Sequence, residues 1–171
     1  MEFLKKYLDL SGKLASYSGK AVAWTAGLLV LVVSYDVITR YFLKNSSVAV
    51  QELEWHLFAI MFLLGAAYTL RDDGHVRVDL FYSRFSPKTQ AIINLTGTLL
   101  FLIPFSIMVI YTSYGFVMNS FAIGEKSPDP GGLPARYILK AVIPVSFILL
   151  LIEAFAIVSK SILILANKSE N

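Results

Sequence analysis

Cysteine is absent from this chain. That excludes thiol redox chemistry, disulfide exchange and iron–sulfur ligation, and it leaves no covalent staple for a surface in an oxidising compartment. Charge is scarce too. Asp, Glu, Lys and Arg make up 16% of the residues against 56% hydrophobic ones, and the mean hydropathy is +0.65. A domain whose surface faces water is not built from that mixture. No internal repeat or low-complexity linker breaks the chain, so one compact unit over residues 1–171 is the expectation. The net charge of +3 calls for no nucleic-acid partner, because lysines that meet anionic lipid account for it. The first residues carry Lys5, Lys6, Asp9 and Lys13, which does not fit the short apolar core and small-residue cleavage site of a signal peptide.

What the sequence does have is long uncharged stretches, at 21–35, 57–70, 89–124 and 141–152. Each extends through its flanks to the roughly 20 residues that cross about 30 Å of hydrocarbon. The expected fold is therefore an all-α integral membrane protein with spans at about 20–43, 52–71, 88–119 and 134–160. Pro104 and Pro144 are expected to kink the third and fourth spans, because each removes a backbone hydrogen bond that lipid cannot replace. Gly65, Gly97 and Gly115 offer points of close approach between helices. Ahead of the first span, Phe3, Tyr7, Leu10 and Leu14 recur at helical spacing with the charges elsewhere on the wheel, so residues 1–18 read as an amphipathic arm on the membrane surface.

Lysine and arginine set the expected orientation. Ten of them (Lys5, Lys6, Lys13, Lys20, Arg71, Arg77, Arg84, Lys88, Lys160 and Lys168) belong to the two termini and the loop between spans 2 and 3. The other five (Arg40, Lys44, Lys126, Arg136 and Lys140) belong to the two remaining loops. Both termini are expected to face the cytoplasm.

Ionisable residues in or near lipid are the functional candidates, since burying them is costly. Asp36 lies one turn before Arg40, and the two can pair along one face. Glu52 and Glu54 stand at the start of span 2, where the helix dipole favours carboxylates and Trp55 suits an interface, so capping and anchoring are preferred to substrate binding. Glu153 is the deepest charge, about two turns inside Lys160, and must pair, take a proton or face a partner. An independent four-helix carrier would have to rest its chemistry on Glu153 or Asp36. Haem is excluded by geometry: His56 and His75, the only histidines, bracket span 2 and stand about 28 Å apart along a helix. A metal shared between them fails for the same reason.

The stretch "RDDGHVRVDLFYSRF", residues 71–85, is the densest in charge. Asp72, Asp73, His75 and Asp79 could hold a divalent cation, but Arg71, Arg77 and Arg84 among them oppose one. Gly74 fits a helix C-cap after Arg71, the next residues alternate polar with apolar, and Pro87 suits the start of another helix. A cytoplasmic interface seam is preferred to a catalytic site, because no nucleophile or metal set accompanies it.

Two segments together, "QELEWHLFAIMFLLGAAYTLRDDGHVRVDLFY" (51–82) and "IGEKSPDPGGLPARYILKAVIPVSFILLLIEA" (123–154), resemble the small membrane subunit of tripartite ATP-independent periplasmic (TRAP) transporters. The acidic start of span 2, the "RDDGHVRVD" run and the "SPDPGGLP" loop carry most of the resemblance. It implies a non-enzymatic accessory subunit without cofactor in a bacterial inner membrane. Its implied partners are a large elevator-type membrane subunit, a periplasmic binding protein and membrane lipids, and its implied role is to brace sodium-coupled uptake of an organic acid. In that setting Asp36, Arg40, Glu52, Glu54, Trp55, Arg71, Asp73, His75, Arg77, Asp79 and Glu153 are expected at partner or lipid interfaces. The alternative is an independent four-helix carrier or a membrane adaptor.

Overall fold

Four helices, each long and apolar enough to cross a membrane, make up the computed structural model, which describes residues 2–72, 74 and 82–167. They are α1 (Glu2–Phe42), α2 (Val48–Arg71), α3 (Pro87–Ala122) and α4 (Tyr137–Asn167). No strand occurs among the described residues. Helix α1 packs on α2 and α4, α2 also packs on α4, and α3 packs on α4. The start of α1 and the last turns of α4 lie at the same end of the bundle, where Leu8 and Lys160 line one cavity.

The expected arm is not a separate element. Helix α1 runs unbroken for 41 residues, about 60 Å at 1.5 Å per residue. No proline occurs before Pro87, so nothing deletes a hydrogen bond in α1, and its glycines weaken the helix without stopping it. It ends where the Asn45 amide reaches back to the Thr39 carbonyl (3.2 Å), with Lys44 left-handed at φ 49°. Helix α2 begins at Val48 rather than Glu52, with extended Ser47 ahead of it. Helix α4 begins at Tyr137 rather than Pro134, because left-handed Ala135 (φ 61°) holds the chain out of the helix.

Large side chains face outward. Trp24, Phe42 and Tyr111 are each more than 80% exposed, while the fully buried positions belong to small residues such as Ala154, Ser106, Ser120 and Ser146. Lipid tails are as apolar as a leucine, so membrane helices gain by letting backbones approach closely, and small residues permit this. At the α1–α2 contact, a Cβ on Gly19 would stand 2.5 Å from the Tyr68 ring, and one on Gly65 3.7 Å from Val22. Gly97 and Gly115 meet no heavy atom within 4 Å, so they are not close-approach points.

Pro104 is accommodated by a change of winding. A π-helical turn at Thr98–Leu102 precedes it, and the Ile103 amide reaches back to the Thr98 carbonyl. Such a turn inserts one extra residue into a helix. The buried seam of α3, formed by Ala91, Thr98, Ser106, Ser113 and Ser120, is spaced by seven, eight, seven and seven residues, the single eight falling across the π turn. Pro144 sits inside α4, which is helical on both sides of it.

Candidate functional site

Polar chemistry gathers at the two ends of the bundle. At the end away from the termini, the chain leaving α3 turns at Gly124 (φ 57°), where the Glu125 amide closes a 6→1 bond to the Ser120 carbonyl at 3.0 Å. Asp129-Pro130-Gly131-Gly132 then forms a turn in which the Gly132 amide donates to the Asp129 carbonyl (3.0 Å). Gly131 takes φ 81°, as a type II turn requires at its third position. The Ser127 amide donates to the Leu133 carbonyl and the Arg136 amide to the Glu125 carbonyl, each at 3.0 Å.

Glu52 closes this loop from α2. Its carboxylate accepts from the Ser127 hydroxyl (2.5 Å), the Leu133 amide (2.6 Å) and the Arg136 guanidinium (2.8 Å), and the residue is 4% exposed. A Cβ on Gly132 would stand 2.8 Å from Glu52 Oε2 and 2.5 Å from Ser127 Cβ, so no side chain fits there. The capping role expected of Glu52 is not what the structure shows. With α2 starting at Val48, Glu52 lies in the second turn, beyond the free amides of the first.

Around this clasp, Arg136 lies over the Trp55 ring at 5.7 Å, Trp55 contacts the His56 ring at 4.0 Å, and His56 Nδ1–H donates to the Glu52 carbonyl at 2.6 Å. Lys140 pairs with Glu125 and covers the Phe116 ring at 4.0 Å. Asp36 and Arg40 pair with each other on α1. Among the polar atoms at this end, Asp36 Oδ1, Glu54 Oε1 and Arg136 Nε are buried without a partner among the described residues.

The Lys140 ammonium holds the Glu125 carboxyl below the usual carboxylate range. A carboxyl lowered by folding contributes stability that is complete above its unfolded value of about 4.3 and is lost as pH falls through the lower folded value. The loop is therefore expected to hold its amides equally well from neutral pH down to about 5, and to loosen only in stronger acid. Hydrogen exchange at Ser127 and Arg136, corrected for intrinsic rates, measures this. Lys140→Ala should shrink the Glu125 contribution to the transition.

At the other end, Arg71 joins α2 to α1. Its Nη1 donates to the Gly12 carbonyl (2.7 Å) and the Ser16 hydroxyl (2.5 Å), its Nε donates to Asp72 (2.8 Å), and its guanidinium lies over the Tyr68 ring at 5.3 Å. The Arg71 bond, with a further one from Tyr68, holds the Asp72 carboxyl below its ordinary value. The Gly74 amide reaches the Thr69 carbonyl at 2.9 Å and closes the end of α2. Asp73, His75, Arg77 and Asp79 lie outside the described residues. Tyr7 donates to the Ile152 carbonyl at 2.8 Å, tying α1 to α4 beside Glu153. Glu153 is 4% exposed and has no hydrogen-bond or ion-pair partner among the described residues.

The structure thus brings Glu52 and Trp55 into one cluster and sets Arg71 and Glu153 at the opposite end. Ser127, Gly132, Leu133 and Arg136 belong to the Glu52 cluster, and the "SPDPGGLP" run was the sequence signal for three of these four. No group of three His, Cys, Asp or Glu side chains suited to a metal occurs among the described residues. A search of curated proteins gave no match to the chain. The protein-family model described as "Tripartite ATP-independent periplasmic transporters, DctQ component" matches residues 29–163. That range takes in the Glu52 cluster, Arg71 and Glu153, with α2 and α3 whole and α1 and α4 in part, and the family is one of transport components rather than enzymes. The chain belongs to the DctQ family, the small component of TRAP transporters.

Proposed function

We propose that this chain is the accessory scaffold of a TRAP transporter, bracing a large elevator-type membrane subunit during sodium-coupled uptake of an organic acid delivered by a periplasmic binding protein. The observation that carries the reading is where polarity sits. Both polar clusters lie at the ends of the bundle, while the helices between them present large apolar side chains outward, such as Phe62 (70% exposed) and Phe101 (73%). A scaffold needs that distribution: its flanks pack against lipid and a larger protein, and its ends are locked. A carrier instead needs broken helices or polar groups near the midplane.

The lysine and arginine distribution supports cytoplasmic termini. On the opposite side Arg40, Arg136 and Lys140 are each ion-paired, leaving that face less positive than its residue count suggests. In this orientation the Glu52 clasp faces the periplasm, where it fixes a loop beside the binding protein's approach. The first turns of α1, with Phe3 78% and Leu10 66% exposed, would rest on the inner leaflet as an amphipathic extension of the first span. The interface roles of Asp36, Arg40, Glu54, Trp55, Arg71 and Glu153 belong to the same proposal.

Reconstitution tests it. The chain alone in proteoliposomes is expected to move no organic acid under a sodium gradient. The same vesicles are expected to accumulate it once the large subunit and the binding protein are added. Uptake by the lone chain, abolished by Glu153→Gln, would establish the independent-carrier reading instead.

A further inference from the structure

At the end of the bundle that carries both termini, a cavity of about 660 Å3 lies between α1, α3 and α4, beside the last turn of α2. Its α4 wall is one helical stripe, with Glu153, Ile157, Lys160 and Ile164 at spacings of four, three and four. Gly12 on α1 and Gly97 on α3 also line it, and neither has a heavy atom within 4 Å of where a Cβ would stand. The space is therefore open at both glycines.

Glu153 is its unsatisfied group. A carboxylate this buried is costly without a counter-charge, and the charges that act on it through space are Arg71 and Asp72. Those two are bonded to each other at 2.8 Å and largely cancel. Arg71 is further committed to Gly12 and Ser16. Lys160 also lines the cavity, two turns or about 10 Å farther along α4, and it is exposed, with no partner among the described residues. The remaining wall mixes uncharged polar groups such as Gln90 and Asn94 with hydrocarbon, including Ile93 and Ile164, which are 40% and 36% exposed.

The ligand that complements this set carries an ammonium for Glu153, a phosphate for Lys160 and alkyl chains for the apolar part of the wall. An anionic lipid without an amine would set its phosphate against Glu153. A water-soluble amino-phosphate would leave the isoleucines uncovered. We propose that the cavity binds the headgroup of an aminophospholipid, its ammonium on Glu153 and its phosphate at Lys160, with the acyl chains leaving past Ile93 and Ile164. This holds whether or not the chain braces a larger subunit.

Native mass spectrometry of the full chain, offered phosphatidylethanolamine or phosphatidylglycerol of matched acyl chains, tests it. Retention of the amine-bearing lipid is expected to exceed that of the other by about tenfold, a difference of 1.4 kcal/mol. Glu153→Gln should erase the preference. Gly97→Leu, which fills the open space, should lower retention of phosphatidylethanolamine while helix content by circular dichroism stays unchanged. Equal retention of the two lipids, or an undiminished preference in Glu153→Gln, would overturn the proposal. Competition by glycerophosphoethanolamine at the same concentration as the lipid would assign the site to a free solute instead. Cross-links from Lys160 to the large subunit, with no lipid retained in the complex, would assign it to a protein.

Discussion

Glu52→Ala is expected to release the loop at 123–136. Three donors lose their acceptor together: the Ser127 hydroxyl, the Leu133 amide and the Arg136 guanidinium. Arg136 keeps its place over Trp55 but becomes a charge without its carboxylate, and leaving one member of a buried pair behind is worse than lacking both. Protease cleavage within the loop should speed up by about ten- to a hundredfold, because cleavage follows the population of the opened form. Glu52→Gln should fall short as well, since an amide offers one acceptor oxygen where three donors converge. Cleavage at the wild-type rate in both variants would mean that the loop is held by its own turns and that the clasp is incidental.

The second large effect is expected at the α3–α4 seam. Ser106 and Ser146 are 0% and 1% exposed, and the Phe105–Phe147 ring contact at 5.7 Å sets them at the same level on the two antiparallel helices. Ser106→Leu must push those helices apart, which typically costs about 1–3 kcal/mol. Ser106→Ala should be neutral or mildly stabilising, because the Ser106 hydroxyl is buried with no partner among the described residues and its loss removes an unsatisfied group. Thermal unfolding in detergent separates the two. If leucine and alanine shifted the midpoint alike, the seam would not depend on residue size.

The spans were legible because hydropathy over some twenty residues is a strong signal. The helicity of residues 1–18 was legible too, but not their continuity with the first span, since Lys5, Lys6, Asp9 and Lys13 look like the end of a membrane segment, whereas a helix continues through charges that lie along one side. Asp36 and Arg40 could be paired from spacing alone because both sit on one helix. The Glu52 cluster could not. Its partners lie 75 to 84 residues away, and the local cue, a carboxylate near a helix start, pointed to the dipole instead. The "SPDPGGLP" loop announced itself through its prolines and glycines, but its reason for needing Gly132 lies on another helix. The serine seam escaped notice because its heptad spacing is broken once, at the π turn.

That broken spacing has a consequence for how this helix tolerates change in length. An ordinary α-helix turns 100° per residue, so gaining or losing one residue swings every later side chain away from its former face. In α3 one residue between Thr98 and Leu102 is surplus to the heptad count, and the wide turn absorbs it. The segment serves as a phase adjuster. A relative one residue shorter there would carry an uninterrupted α-helix and still point its counterparts of Ser106, Ser113 and Ser120 at α4. The same deletion a turn earlier or later would have to be absorbed by moving the π turn itself.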